Sequence, residues 1–113
     1  MAYDEEVADR FRNAMLGLPD VSEKRMMGAL CFLLNGNMIG GAFRTREGVP
    51  SFLFRVGKDN ESEALSRPHA SVMNNGGRRM GGFIIVPDEM CDDEALAGWV
   101  TLCLSFVGNL PPK

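Results

Sequence analysis

Residues 26–43 read MMGALCFLLNGNMIGGAF, and this stretch decides the fold class. Residues 26–34 are nearly all apolar, which is typical of a strand that is covered on both faces. The Asn35-Gly36-Asn37 triplet tolerates the positive φ angles of a tight hairpin, so residues 38–43 are predicted to return as a second strand. Within that second strand, the Gly40-Gly41 pair indicates a bulge or a close approach between backbones.

Apolar periodicity on both sides of this hairpin predicts the other elements. An apolar stripe with spacings of three and four residues predicts a helix over residues 4–18. The later elements are a third strand at 51–56, a short helix at 61–66, a weaker strand at 69–74, a strand at 83–86 and a long helix after Cys91. This order, α-β-β-β-α-β-β-α, predicts a two-layer α+β fold with an antiparallel sheet and the helices on one face.

Two features of the helices lead to further expectations. Asn60 and Glu63 have the spacing of a capping box, which would begin the short helix. In the last helix, Leu102 and Leu104 widen the apolar face beyond one stripe. Either this helix is deeply packed or part of it meets a partner, and a homodimer through the last helix is one expected assembly.

Length and composition limit the class of protein. The chain has 113 residues, which predicts one domain over residues 1–113. Its apolar content of 45% and charged content of 24% favour a folded protein over a disordered one. The acidic N-terminus lacks the basic and apolar regions of a signal peptide. The longest apolar run, at 26–34, is well short of the roughly 20 residues of a membrane span, so we expect a cytoplasmic protein.

Charge is distributed unevenly along the chain. The net charge of −3 argues against a surface that binds nucleic acid throughout. From Lys24 to Arg79, however, the chain contains nine basic residues and only four acidic ones, while both flanking segments are acidic. These basic residues could cluster or scatter in the folded chain, and the sequence leaves both arrangements open.

Few residues suggest catalysis or metal binding. Cys31, Cys91 and Cys103 are odd in number and have no C-x-x-C spacing, so reduced thiols acting as small apolar side chains are the simplest interpretation. His69 is the only histidine, and no cysteines or acids surround it with metal-ligand spacing. We therefore predict no catalytic residue, no metal site and no cofactor.

Five residues are candidate contacts for a partner or an anion: Lys24, Arg25, His69, Arg78 and Arg79. The glycine-rich segment 76–82 could hold an anion with its backbone amides and its two arginines. The alternative is a flexible hairpin loop whose arginines face water. The eight methionines could line an adaptable groove or fill gaps in the core.

Several segments, in order along the chain, resemble the TfoX N-terminal domain family. They cover nearly the whole chain and are residues 1–6, residues 23–32 with 35–38, residues 54–57, residues 79–83, and residues 92–100 with 110–113. The chain departs from the family pattern at residues 25–29, which read Arg-Met-Met-Gly-Ala where many members resemble Lys-Met-Phe-Gly-Gly.

The resemblance implies an α+β fold with an antiparallel sheet, similar to that of secretion-chaperone-like proteins. It also implies a link to the regulation of competence for DNA uptake. The regulator that gives the family its name carries a second, C-terminal domain, whereas 113 residues have room for the N-terminal domain alone. The family supplies no agreed catalytic residues.

Three functions remain in view. The first is a non-enzymatic regulatory module that acts through a protein partner, as the resemblance and the missing catalytic set favour. The second is direct binding of nucleic acid through Lys24, Arg25, Arg78 and Arg79, which would depend steeply on salt. The third is binding of a small anion, or an enzymatic role, at residues 76–82.

Overall fold

The computed structural model describes residues 3–26 and 28–113. Met27 and the first two residues of the segment 1–6 lie outside the described residues. Short 3-10 turns at Lys58–Asn60 and Asp88–Met90 precede the second and third helices. The elements in chain order are α1 (Glu5–Ala14), β1 (Val21–Met26), β2 (Ala29–Leu34), β3 (Asn37–Arg44), β4 (Pro50–Arg55), α2 (Glu61–Leu65), β5 (Ser71–Asn75), β6 (Arg78–Pro87) and α3 (Asp93–Val107).

The described strands form one six-stranded sheet with the order β1-β2-β3-β4-β6-β5. Every pair of neighbouring strands is antiparallel. α1, α2 and α3 contribute to a single apolar core against one face of the sheet. The predicted α+β fold with helices on one face of an antiparallel sheet is therefore confirmed.

The sheet contains one strand more than the sequence predicts. Residues 26–34 do not form one strand, because a turn at Gly28, with φ of +79°, separates β1 from β2. β1 is mostly polar, with Ser22-Glu23-Lys24-Arg25 at its centre, so apolar periodicity gives no sign of it. Lys24 and Arg25 consequently lie within an edge strand rather than before the first strand.

The two glycine pairs of the sheet make room for close backbone contacts. The register between β2 and β3 shifts beside Gly40, and a Cβ atom on Gly41 would lie 2.5 Å from the Leu30 carbonyl oxygen. The predicted close approach at Gly40-Gly41 is thus confirmed. In β6, the register shift opposite β5 falls at Gly81-Gly82, and the Gly82 carbonyl accepts hydrogen bonds from the amides of Val56 and Gly57.

The glycine-rich segment 76–82 is not one loop. Gly76 and Gly77 both have positive φ angles and form the turn between β5 and β6. β6 already starts at Arg78 and runs to Pro87, so the strand predicted at 83–86 is only its second half. Glycines hid the first half, because glycine in a strand contributes no apolar pattern.

An aromatic cluster joins the helices to the sheet. Phe11 of α1 stacks on Phe32 with ring centroids 4.8 Å apart, and it lies 5.8 Å from Phe54. Phe54 in turn stacks on Trp99 of α3 at 5.1 Å. All four rings are buried, so this cluster fixes both long helices against the middle of the sheet.

The helix ends agree only partly with expectation. The Asp4 side chain caps α1 by accepting hydrogen bonds from the backbone amides of Glu6 and Val7. The Asp92 side chain caps α3 by accepting a hydrogen bond from the backbone amide of Ala95. The predicted capping box at Asn60 is wrong. The Asn60 amide group instead donates to the Val56 carbonyl and the Ser105 hydroxyl, and so connects the start of α2 to the segment after β4 and to α3.

Candidate functional site

The two faces of the sheet can be told apart by following cross-strand neighbours, which share a face. Glu23, Phe32 and Phe54 lie on the face that packs on the helices, since Glu23 binds Arg12 of α1 and both rings contact Phe11. We call the opposite side the open face. One row of it crosses all six strands: Lys24, Cys31, Gly41, Leu53, Ile85 and Ser71.

The open face is largely apolar. Cys31 and Leu53 are 2% and 4% exposed, yet neither belongs to the core beneath the helices. Around them, large apolar side chains are only half-buried. By register and alternation they include Met26, Leu33, Met38, Phe43, Phe83 and Ile85. These partly accessible apolar side chains make the open face a candidate contact surface.

Charge is segregated between the strands and the helices. Glu23 is the only acidic residue in the six described strands, whereas the same strands carry six basic residues. Two of these, Arg44 and Arg79, reach carboxylates at the helix layer, Asp4 and Glu61. Six of the nine basic residues between Lys24 and Arg79 therefore lie in the sheet, whereas the acids concentrate in the helices and turns.

Three of the strand cations belong to the open face. Lys24 and Arg55 each follow a strand residue that lies on the helix face, so alternation places their own side chains on the open face. Arg79 pairs with Glu61 of α2, so its neighbour Arg78 also lies on the open face. No carboxylate lies within ion-pair distance of these three among the residues that the structure describes. The charges on the strands of the open face are therefore all positive.

The structure does not bring the predicted basic residues together. Lys24 and Arg25 lie on β1, at one edge, and Arg78 and Arg79 lie on β6, four strands away. At about 4.8 Å per strand spacing, the two pairs are about 19 Å or more apart. Arg25 also faces the helix layer, with its guanidinium carbon 5.8 Å from the centroid of the Tyr3 ring.

His69 lies in a different place, in the turn between α2 and β5. It is exposed and has a positive φ of +63°. A cleft of about 410 Å³ beside it is lined by Arg67, Trp99 and Asp92 among others. Arg67 covers the Trp99 ring at 4.7 Å and binds Glu63, so this cleft holds a paired cation.

The cysteines are poor nucleophiles. All three are buried, and burial raises the pKa of each thiol above its usual value. For Cys91 burial raises the pKa to about 11, with the Arg10 charge only partly opposing it. Thiols with such pKa values stay protonated near neutral pH and react slowly. Within residues 3–26 and 28–113, no group of three or more potential ligands could hold a metal ion.

At one end of the open face lies a pocket of about 320 Å³, which we call the Gly57–Gly82 pocket. The Arg55 guanidinium carbon is 5.9 Å from the Phe83 ring centroid and 5.4 Å from that of Phe106 of α3. The full lining is Arg55, Gly57, Lys58, Asp59, Gly81, Gly82, Phe83 and Phe106. The pocket thus offers two cations, one carboxylate and two aromatic walls.

A second depression lies between two hairpins. The β3–β4 turn and the β5–β6 hairpin line a cleft of about 330 Å³, with Phe43, Met73 and Ile85 among its apolar side chains. Ile85 and Phe83 of the first pocket lie two residues apart on the same face of β6, which is about 7 Å. The two depressions therefore neighbour each other along one strand.

Comparison with known families gives one match. The family model described as the TfoX N-terminal domain matches residues 13–107, which is most of the chain. The chain belongs to the TfoX N-terminal domain family. Neither the curated proteins nor the solved structures contain a match.

The structure places the segments that resemble the TfoX N-terminal domain family. Residues 54–57 and 79–83 meet at the Gly57–Gly82 pocket, where the Gly82 carbonyl accepts from the amides of Val56 and Gly57. Residues 23–26 lie in β1, residues 29–32 lie in β2, and residues 92–100 cap and begin α3. As for membranes, none of the described helices has the length and apolar character needed to span one.

Sequence reasoning missed Arg55 and Lys58 as candidate residues of this TfoX N-terminal domain. Arg55 stands in an apolar strand, and only the register beside Phe83 and the reach of Phe106 reveal its surroundings. The sequence signal that could have pointed to them is glycine, at Gly57 between the two residues and at Gly82 in the facing strand. Both glycines have positive φ in the structure. The apolar surplus of α3 is explained mostly by packing, since Leu102 is buried and Leu104 packs against the core. The homodimer through α3 stays a prediction.

Proposed function

We propose that this TfoX N-terminal domain is a non-enzymatic regulatory module of the cytoplasm. It acts in transcriptional control of the competence type by binding a partner protein on the open face. The observation that carries the proposal is the combination of a half-buried apolar surface with strand charges that are all positive. The buried, protonated cysteines support a role other than catalysis.

Charge complementarity determines the kind of partner that fits. Lys24, Arg55 and Arg78 favour an acidic segment, and the apolar side chains between them favour one that is also apolar on one side. Met26 and Met38 add flexible, polarizable contact surface that can adapt to an irregular ligand. The occupant we propose is therefore an acidic amphipathic segment of a regulatory protein.

Nucleic acid fits the same surface less well. Base stacking on a sheet needs aromatic side chains close together, but Phe43 and Phe83 line different depressions of the open face. The acids of the helix layer would also repel a long polyanion that extends past the sheet. Binding of nucleic acid is therefore an outcome for the experiment to detect rather than a second proposal.

A matched set of three proteins tests the proposal in native cytoplasm. Tagged wild type, the open-face double variant Lys24→Glu/Leu33→Ser and the helix-layer control Leu16→Ser are used as bait, each with and without nuclease. Leu16 is 77% exposed, so its replacement removes a surface apolar group without touching the open face. Circular dichroism first establishes that all three fold alike.

We expect transcription proteins to be retained by wild type and by Leu16→Ser after nuclease treatment, and to be lost from the double variant. Equal recovery with the double variant would contradict docking on the open face. Proteins that disappear only after nuclease would show a nucleic-acid bridge and would transfer the function to direct nucleic-acid binding.

A further inference from the structure

Arg55 is a cation with a fixed position and free hydrogen-bond donors. Its guanidinium carbon lies within 6 Å of the ring centroids of both Phe83 and Phe106, and these contacts restrict where the group can move. Its one hydrogen bond within the described chain runs from Nη1 to the Met38 carbonyl, at 3.5 Å. No carboxylate among the described residues lies within 4 Å of it, so most of its planar fork of donors stays available.

The remaining charges of the Gly57–Gly82 pocket leave a positive balance. Lys58 lines the pocket and is exposed, with no ion-pair partner in residues 3–26 and 28–113. Asp59 is the only acid in the lining. Nearby, Arg79 is neutralised by Glu61 and so adds little charge.

Two glycines allow the walls of the pocket to pack closely. A Cβ atom on Gly57 would lie 2.6 Å from the Phe106 ring, and one on Gly82 would lie 2.9 Å from the Gly57 carbonyl carbon. Both glycines have φ near +85°, a conformation that other residues rarely adopt. Gly81 differs, because a Cβ there would meet only the flexible side chains of Lys58 and Arg79, at 3.5 and 3.7 Å, which are ordinary contacts.

We propose that the Gly57–Gly82 pocket binds a small molecule with one oxyanion, a carboxylate or a phosphate, attached to an aromatic ring. The Arg55 fork matches either oxyanion in a bidentate manner, and Lys58 supplies a second positive charge. Phe83 and Phe106 form walls for the ring, and about 320 Å³ is at the small end of ligand pockets. This proposal does not depend on docking of a protein elsewhere on the open face.

Titration of ¹⁵N-labelled protein, followed by amide NMR shifts, tests the proposal with four probes. Benzoate and phenyl phosphate are the two oxyanion arms, benzyl alcohol is the neutral ring, and inorganic phosphate is the anion without a ring. We expect saturable shifts at the amides of residues 57–59 and 81–83 with benzoate, phenyl phosphate or both. Benzyl alcohol and inorganic phosphate should bind at least tenfold more weakly.

Three variants connect the binding to the pocket. Arg55→Gln should weaken binding at least tenfold, which is about 1.4 kcal/mol, and Gly81→Ala should weaken it by narrowing the pocket without strain. Arg78→Gln removes an equal charge from β6 outside the lining and should leave binding unchanged. If Arg55→Gln fails to give a dispersed spectrum, Gly81→Ala alone decides.

Three results would overturn the proposal. One is that no oxyanion arm saturates with a dissociation constant below about 10 mM. Another is equal affinity for inorganic phosphate or benzyl alcohol, which would remove the role of the ring or of the anion. The last is unchanged binding in the folded Arg55→Gln and Gly81→Ala variants.

Discussion

The two faces of the same six strands differ in how completely their side chains are used within the fold. On the helix face, Phe32 and Phe54 are fully buried in stacked contacts, and Glu23 has its partner in Arg12. On the open face, Phe83 is half-buried and Arg55 lacks a carboxylate partner within the described chain. The comparison indicates that the helix face holds the protein together, whereas the open face keeps apolar surface and positive charge for a ligand.

The largest expected contrast is between two phenylalanines on neighbouring strands. Phe54→Ala should lower the free energy of unfolding by about 3–5 kcal/mol, because it leaves a cavity between Phe11 and Trp99. Phe83→Ala should lower the free energy of unfolding by only about 1 kcal/mol, since the Phe83 side chain is partly buried in the folded protein. Urea denaturation measures both. Equal decreases in the free energy of unfolding would mean that the open face contributes as much to stability as the helix face.

The two adjacent glycines of β6 should differ less strongly in their effect on stability. Gly82→Ala should destabilise the protein by about 1–3 kcal/mol, because its φ of +84° and its closeness to Gly57 both disfavour a side chain. Gly81→Ala should change stability by less than about 0.5 kcal/mol. Thermal and urea unfolding of the two variants gives the comparison. A near-neutral Gly82→Ala would show that the pocket does not need this tight backbone contact.

The smallest effect concerns the one acid of the strands. Arg12 donates two hydrogen bonds to Glu23, of 2.6 and 2.8 Å, and these bonds with the Arg12 charge hold the pKa of Glu23 below its usual value. Because the folded-state pKa is the lower one, the pair stabilises above the unfolded pKa and loses its effect as pH falls through the folded pKa. The pair is partly exposed, so Glu23→Gln should cost at most about 1 kcal/mol at pH 7.

The pH dependence provides the check on this ion pair. The difference in urea midpoint between wild type and Glu23→Gln should shrink as the pH falls below about 4 and vanish in stronger acid. A difference that stays constant from pH 7 to strong acid would show that Glu23 acts through packing rather than through its charge.

Much of the fold could be predicted because apolar side chains recur where helices and strands are buried. The helix stripe ending in Leu18 and the alternation of Phe52 and Phe54 are examples, and both proved to face the core. β1 could not be predicted from apolar periodicity, because an edge strand can be polar. The first half of β6 could not be predicted because its glycines contribute no apolar pattern. The capping-box spacing at Asn60 is misleading because the partners of its side chain, the Val56 carbonyl and the Ser105 hydroxyl, lie outside α2.

The candidate site was harder to predict, because it depends on strand order. The sequence shows that Lys24 and Arg25 are neighbours and that Arg78 and Arg79 are neighbours. It does not show how far apart the two pairs lie, which is determined by the order of the strands in the sheet. Arg55 was overlooked for the converse reason. The sequence separates it from Phe83 and Phe106, and only the fold brings these three side chains together.

The central claim, that the open face is a docking surface for an acidic amphipathic segment, is tested most directly by amide NMR. ¹⁵N-labelled protein is titrated with a synthetic helix that has leucines on one face and glutamates on the other. A peptide with lysines in place of the glutamates and a single-stranded oligothymidine serve as controls. We predict saturable shifts confined to open-face positions such as Lys24, Leu33 and Ile85 with the acidic peptide alone. Shifts at the helix layer, equal binding of the lysine peptide, or preferential binding of the oligonucleotide would contradict the account.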